Sequence, residues 1–245
     1  MASLKNILAA TDFSAPARHA AERAALLARE LGAGLDLIHV AAPAPMEKLR
    51  HLLGELPAEI EQRLVDASRD EMQQLAATLQ KHHGVSAACQ IAYGPLVEEI
   101  ALRSAKLAAD LLVFGSHGSS FMRHLFLGST AERLLGHSKL PMLVVKQAAH
   151  EAYKTLLVPV DFSASSQRAI ATAQAIAPNA TLILLHVAAL PFEGKLRYAC
   201  IDESIIARYQ SAAIQDAKQA LQALQQSAAP NASQLRLEVV TGDPA

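Results

Sequence analysis

The sequence predicts an α/β protein in tandem: a doubly wound, five-stranded parallel sheet with helices on both faces, then a second copy lacking its C-terminal βα portion. Three observations carry this reading. Short apolar runs alternate with longer stretches whose apolar residues recur every three or four positions, the pattern of βαβ units. KNILAATDFSAPARHA, starting at Lys5, recurs as KTLLVPVDFSASSQRA, starting at Lys154. LDLIHVAAP likewise recurs as LILLHVAAL, which sets His39 and Val40 opposite His186 and Val187.

In the first copy the apolar runs place strands at about 4–10, 35–41, 85–91, 110–115 and 141–146. Helices are expected between them at about 15–31, 57–83, 95–107 and 129–137. Leu111-Leu112-Val113-Phe114 is apolar at every position, as a central parallel strand buried on both faces must be. The Pro-rich stretch from about 42 to 58 reads as a surface excursion. The second copy repeats strand, helix, strand, long helix and strand at about 154–160, 164–177, 180–187, 203–228 and 234–240. Domains are therefore expected at 1–147 and 152–245. Asp243-Pro244 reads as an N-cap and a first helical residue, so the second domain is expected to be truncated and its sheet to carry an exposed edge.

Composition narrows the function. Of the 245 residues 51% are hydrophobic and 4% aromatic, with no Trp, so the apolar weight lies in Ala, Leu, Val and Ile. Lys plus Arg total 22 against 23 for Asp plus Glu, and a net charge of -1 gives no field for nucleic acid or an anionic membrane. Cys89 and Cys200 belong to no paired motif, and His82, His83 and Cys89 do not form a zinc spacing. No metal site is expected. No run has the length of a membrane span, and LKNILAATDF is too short for a signal segment, so a cytoplasmic protein is expected.

The richest segment is GSHGSSFMRHLFLGST, residues 115–130, between the most apolar strand and an expected helix. Ligands of open parallel sheets sit beyond the carboxyl ends of the strands, where this loop begins. Gly115 and Gly118 let main-chain amides approach an anion, and Gly128-Ser129-Thr130 sets N–H groups and hydroxyls at a helix start. Arg123 is a cation available to a terminal phosphate, and His117 and His124 are the titratable residues beside it. No G-x4-G-K-[ST] loop occurs and the segment contains no Lys, so any phosphoryl chemistry would be slow and no catalytic residue is assigned.

The spacing G-x2-G-x9-G-[ST], together with Asp12-Phe13-Ser14 and the HV strand end, resembles the universal stress protein family over the whole chain. The resemblance implies a fold that binds an adenine nucleotide, ATP, with Mg. It would set Thr11 and Asp12 beside adenine and ribose, offer the Val40 main chain to the base edge, and hold the phosphates with Gly115, Gly118, Gly128, Ser129 and Thr130. It also implies a homodimer paired through strand 141–146. The second copy keeps Asp161 and Val187 but has only Gly194 and Gly242, so one nucleotide per chain is expected. The reading is a stress-response or regulatory binding protein. Two others stand beside it: a slow ATPase or self-phosphorylating protein using Ser129 or Thr130, and a nucleotide-free interaction scaffold.

Overall fold

The computed structural model describes residues 3–41, 58–116, 133–134, 136, 140–189, 198–199, 201–229 and 234–243. Its contacts divide the chain into two units, Ser3–Ala152 and Tyr153–Ala245. The first contains β1 (Asn6–Ala10), α1 (Ala15–Leu31), β2 (Gly34–Ala41), α2 (Ala58–His83), β3 (Ala87–Tyr93), α3 (Leu96–Leu107), β4 (Leu111–Gly115) and β5 (Met142–Val145). All pairings are parallel, in the order β3-β2-β1-β4-β5. The second contains β6 (Thr155–Pro159), α4 (Ala164–Ile176), β7 (Thr181–Ala188), α5 (Glu203–Ala228) and β8 (Leu235–Thr241), with a parallel sheet in the order β6-β7-β8.

The expected strands form, with shifted ends. The third runs over Ala87–Tyr93 rather than about 85–91. Gly84, at φ 69, returns its N–H to Gln80 O at the end of α2, so residues 84–86 are spent leaving the helix and the ladder extends to Tyr93 opposite Ala41. Of the helix expected at 129–137, Arg133, Leu134 and Gly136 are helical among the described residues. Leu134 is buried with Leu8, Ile38, Ile100 and Phe114 in the core on one face of the sheet.

α1 begins where Ser14 accepts a hydrogen bond from Ala17 N, has Pro16 in its first turn, and ends at Gly32 in the left-handed region. Its buried face is mostly alanine, from Ala17 through Ala28, which lets it lie close on β1 and β4. At the amino ends of the same two strands, the Asp110 carboxylate accepts the Lys5 and Asn6 N–H groups at 2.7 and 3.0 Å. These bonds hold β1 and β4 in register.

The one charged side chain buried in the first sheet among the described residues is Asp36 of β2, 2% exposed. Arg103 of α3 meets it with a two-pronged grip, Nε to Oδ1 at 3.0 Å and a terminal guanidinium nitrogen to Oδ2. Hydrogen bonding to Asp36 raises the Arg103 pKa above its ordinary value. Removing the cation alone strands a carboxylate in the interior. Arg103→Leu should lower unfolding stability by about 3–5 kcal/mol in urea titration, and Asp36→Leu with Arg103→Leu should recover most of it.

In the second unit Val158, Ile170, Leu182, Leu184, Leu221 and Leu224 form the core under α4 and α5. The other face differs from its counterpart in the first unit. Leu157 is 58% exposed, whereas Leu8, at the matching place in the repeat, is fully buried.

Candidate functional site

In the first sheet the chain runs outward from β1 to β2 and β3, then crosses to the other side of β1 for β4 and β5. The direction of winding therefore reverses between β1 and β4, and a crevice opens beyond their carboxyl ends. Thr11-Asp12 leave β1 there, Gly115-Ser116 end β4, and His39-Val40 approach from β2. Gly118, Arg123, Gly128, Ser129 and Thr130, with His117 and His124, lie outside the described residues.

The turn after β1 is built from its own side chains. Thr11 is 6% exposed; its N–H donates to Ile38 O at 2.9 Å, and its Oγ1 accepts from Phe13 N at 3.0 Å. Asp12 Oδ1 accepts the Ser14 N–H at 3.1 Å, a local Asx turn, while the side chain stays partly exposed on the crevice. Phe13 takes φ 61, which an L-residue adopts only when its surroundings compel it. Those surroundings are the His39 ring, stacked at 4.4 Å between centroids, and Arg18, whose Nε donates to Phe13 O at 3.0 Å while its guanidinium pairs with Glu71 at 2.5 Å.

Gly115 has a steric role that its place in an anion loop does not reveal. A Cβ built there would lie 2.7 Å from the carbonyl carbon of Pro16 and 2.8 Å from its oxygen. The first turn of α1 thus rests directly on the end of β4. Ser116, which sequence reasoning passed over, is buried beside it and donates its N–H to Val145 O at 3.0 Å. Its only sequence signal is its place next to Gly115.

The second unit repeats the turn and alters its chemistry. Asp161 Oδ1 accepts from Ser163 N at 3.0 Å and from the Ser166 hydroxyl at 2.7 Å, and Asp161 N donates to the same hydroxyl at 3.0 Å. The residue matching Ser166 in the first copy is Ala17. Ser163 first, then Ser166, lowers the Asp161 pKa to about 2. Among the described residues no group of three His, Cys, Asp or Glu is arranged to hold a metal, and no helix is long and apolar enough to cross a membrane.

The fold and this crevice define a doubly wound α/β protein with an opening at its topological switch point. A sequence model of the universal stress protein family matches residues 3–146 and again 152–245, and the chain belongs to that family, as a tandem of two such domains. A universal stress protein of Methanocaldococcus jannaschii is 30% identical over 151 residues, covering 60% of this chain and 85% of its own. A universal stress protein A homologue of Coxiella burnetii is 30% identical over 142 residues, covering 58% and 95%. Among solved structures, a universal stress protein from Archaeoglobus fulgidus superposes with a TM-score of 0.66 at 18% identity, covering 99% of this chain and 78% of its own. One from Lactobacillus plantarum does so with a TM-score of 0.50 at 23% identity, covering 60% and 100%. At these identities the superpositions speak for the fold alone.

The Asp161 arrangement has a measurable consequence. Its carboxyl pKa is depressed in the folded chain, so its contribution to stability is present above the ordinary value of 3.8 and fades as the pH falls through about 2. Ser166→Ala should move that pKa upward from about 2 in an NMR titration, with part of the depression kept by Ser163.

Proposed function

We propose that the first domain, residues 1–147, binds ATP with Mg and that its occupancy carries a stress-response or regulatory signal in the cytoplasm. The observation that carries this reading is the convergence of Thr11-Asp12, Val40 and Gly115 on adjacent strand ends at the switch point. The residues suit the ligand. A partly exposed carboxylate at Asp12 accepts two ribose hydroxyls, and the Val40 main chain offers a donor and an acceptor to adenine. Gly118, Gly128, Ser129 and Thr130 supply N–H groups and hydroxyls for phosphates, with Gly115 closing the strand and Arg123 at the terminal phosphate. Mg would be held by the phosphates it neutralises. With no lysine in the loop to neutralise a transferring phosphoryl group, binding rather than turnover is the function assigned.

The second domain, residues 152–245, is read as a nucleotide-free unit, because Ser166 engages the carboxylate that would otherwise face a ribose. Calorimetric titration of nucleotide-stripped protein with Mg-ATP should give micromolar binding at about one site per chain. Gly118→Val should abolish it, Asp12→Ala should weaken it about tenfold, and Asp161→Ala should leave it unchanged. No uptake of ATP, ADP or AMP by the parent protein would refute the reading.

The edge strand β5 supports a further element of the proposal, a homodimer formed through residues 141–146. Met142–Leu143–Val144 are partly exposed on an edge whose inner side pairs with β4. Light scattering at micromolar concentration should return twice the chain mass; a monomer mass overturns this assembly.

A further inference from the structure

The parallel ladder between β1 and β2 follows a strict alternation. Gly34 N–H donates to Lys5 O at its start, and Thr11 N–H donates to Ile38 O at its end. With Asn6↔Gly34 through Ala10↔Ile38 in register, the even-numbered residues of β2 direct their N–H and C=O toward β1. The next two rungs would join Val40 N–H to Thr11 O and Phe13 N–H to Val40 O.

Side chains take both places. His39 Nδ1 lies 2.9 Å from Thr11 O, and because a carbonyl can only accept, Nδ1 carries the proton. The Phe13 N–H donates instead to Thr11 Oγ1 at 3.0 Å. Phe13 stacks on the His39 ring while holding φ 61, at the point where the chain leaves the ladder.

We propose that His39 and Thr11 are positioning residues of the nucleotide site: their side chains substitute for the last two β1–β2 rungs and release the Val40 N–H and C=O to an adenine edge. This rests on the nucleotide reading above. Adenine presents a ring-nitrogen acceptor beside an exocyclic amino donor, the complement of one peptide N–H and one C=O facing the same side.

The second unit is a natural half-variant. His186 Nδ1 lies 2.9 Å from Val160 O and the Phe162 ring lies tilted against its ring at 4.3 Å, with φ 62. The matching residue for Thr11, however, is Val160, which has no hydroxyl to occupy the Phe162 N–H. Only one of the two substitutions is available there.

The test uses the whole chain, with Mg-ATP and inorganic triphosphate as probes. Thr11→Val copies the residue that the second unit already accommodates. It should weaken ATP about tenfold, leave triphosphate binding unchanged, and be rescued by Thr11→Ser. Hydrogen exchange supplies a readout free of nucleotide. The Val40 amide should exchange rapidly in the unliganded parent, slow on ATP binding, and slow without ATP in His39→Leu, where Thr11 O becomes available to it. Equal loss of ATP and triphosphate in Thr11→Val, or Val40 exchange unaltered by His39→Leu, overturns the proposal. A parent that takes up no adenine nucleotide refutes the nucleotide reading and with it the assigned role, while the exchange of Val40 reports separately whether the rungs are replaced.

Discussion

The first unit depends on one constraint above the others: β1 pairs in parallel on both sides, with β2 on one and β4 on the other. A strand so placed has neither a free edge nor a wet face, which is why Ile7, Leu8 and Ala9 are buried and the run Asn6–Ala10 carries no charge. Parallel strands cannot be joined by tight turns, so each crossover must travel the length of the sheet and return. The carboxyl ends are therefore gathered at one edge. Reversal of the winding beside β1 then leaves a crevice where Thr11, Asp12, Val40 and Gly115 converge. Backbone pairing alone brings these residues together.

Packing at that edge leaves little room for variation. Gly115 lacks a side chain because the Pro16 carbonyl occupies the space, and Pro16 is there because Ser14 starts α1 immediately after the turn. The turn is held by Thr11, Asp12, His39 and Arg18, each acting on the main chain of residues 11–14. Strain at Phe13 is thus distributed over several hydrogen bonds and a ring stack. A backbone conformation that costs on the order of 1–3 kcal/mol persists only when its neighbours over-determine it in this way.

The two units show how far a common backbone can be separated from common chemistry. Both retain the left-handed Phe, the His ring against it and the Asx turn. Two of the side chains at which they diverge change the hydrogen bonding of the turn. Ala17 becomes Ser166, whose hydroxyl turns the Asp carboxylate inward onto its own helix start, and Thr11 becomes Val160, which removes a local acceptor. Thr and Val differ by a hydroxyl against a methyl of similar volume, and Ser166 adds one small hydroxyl to the place of Ala17, so the strand and the helix that bear them are kept. The local chemistry of the turn diverges here by hydrogen bonding rather than by folding.

Much of this was legible in the chain itself. Apolar runs alternating with helical spacing specify a parallel sheet, because side-chain periodicity is a local property of strand and helix. The repeat at Lys5 and Lys154 specifies two related units, and the glycine spacing with Asp12 directs attention to the carboxyl edge. Strand ends were less legible: β3 shifted toward Tyr93 because the exit from α2 uses residues 84–86, and that geometry has no apolar signature. Three features were decided only by tertiary structure. Gly115 is required by the backbone of α1, His39 replaces a rung of the β-ladder, and Arg103 answers the buried charge of Asp36. Each joins residues far apart in sequence, on separate elements, and no local pattern of hydrophobicity or spacing encodes a contact that exists only once the sheet has closed.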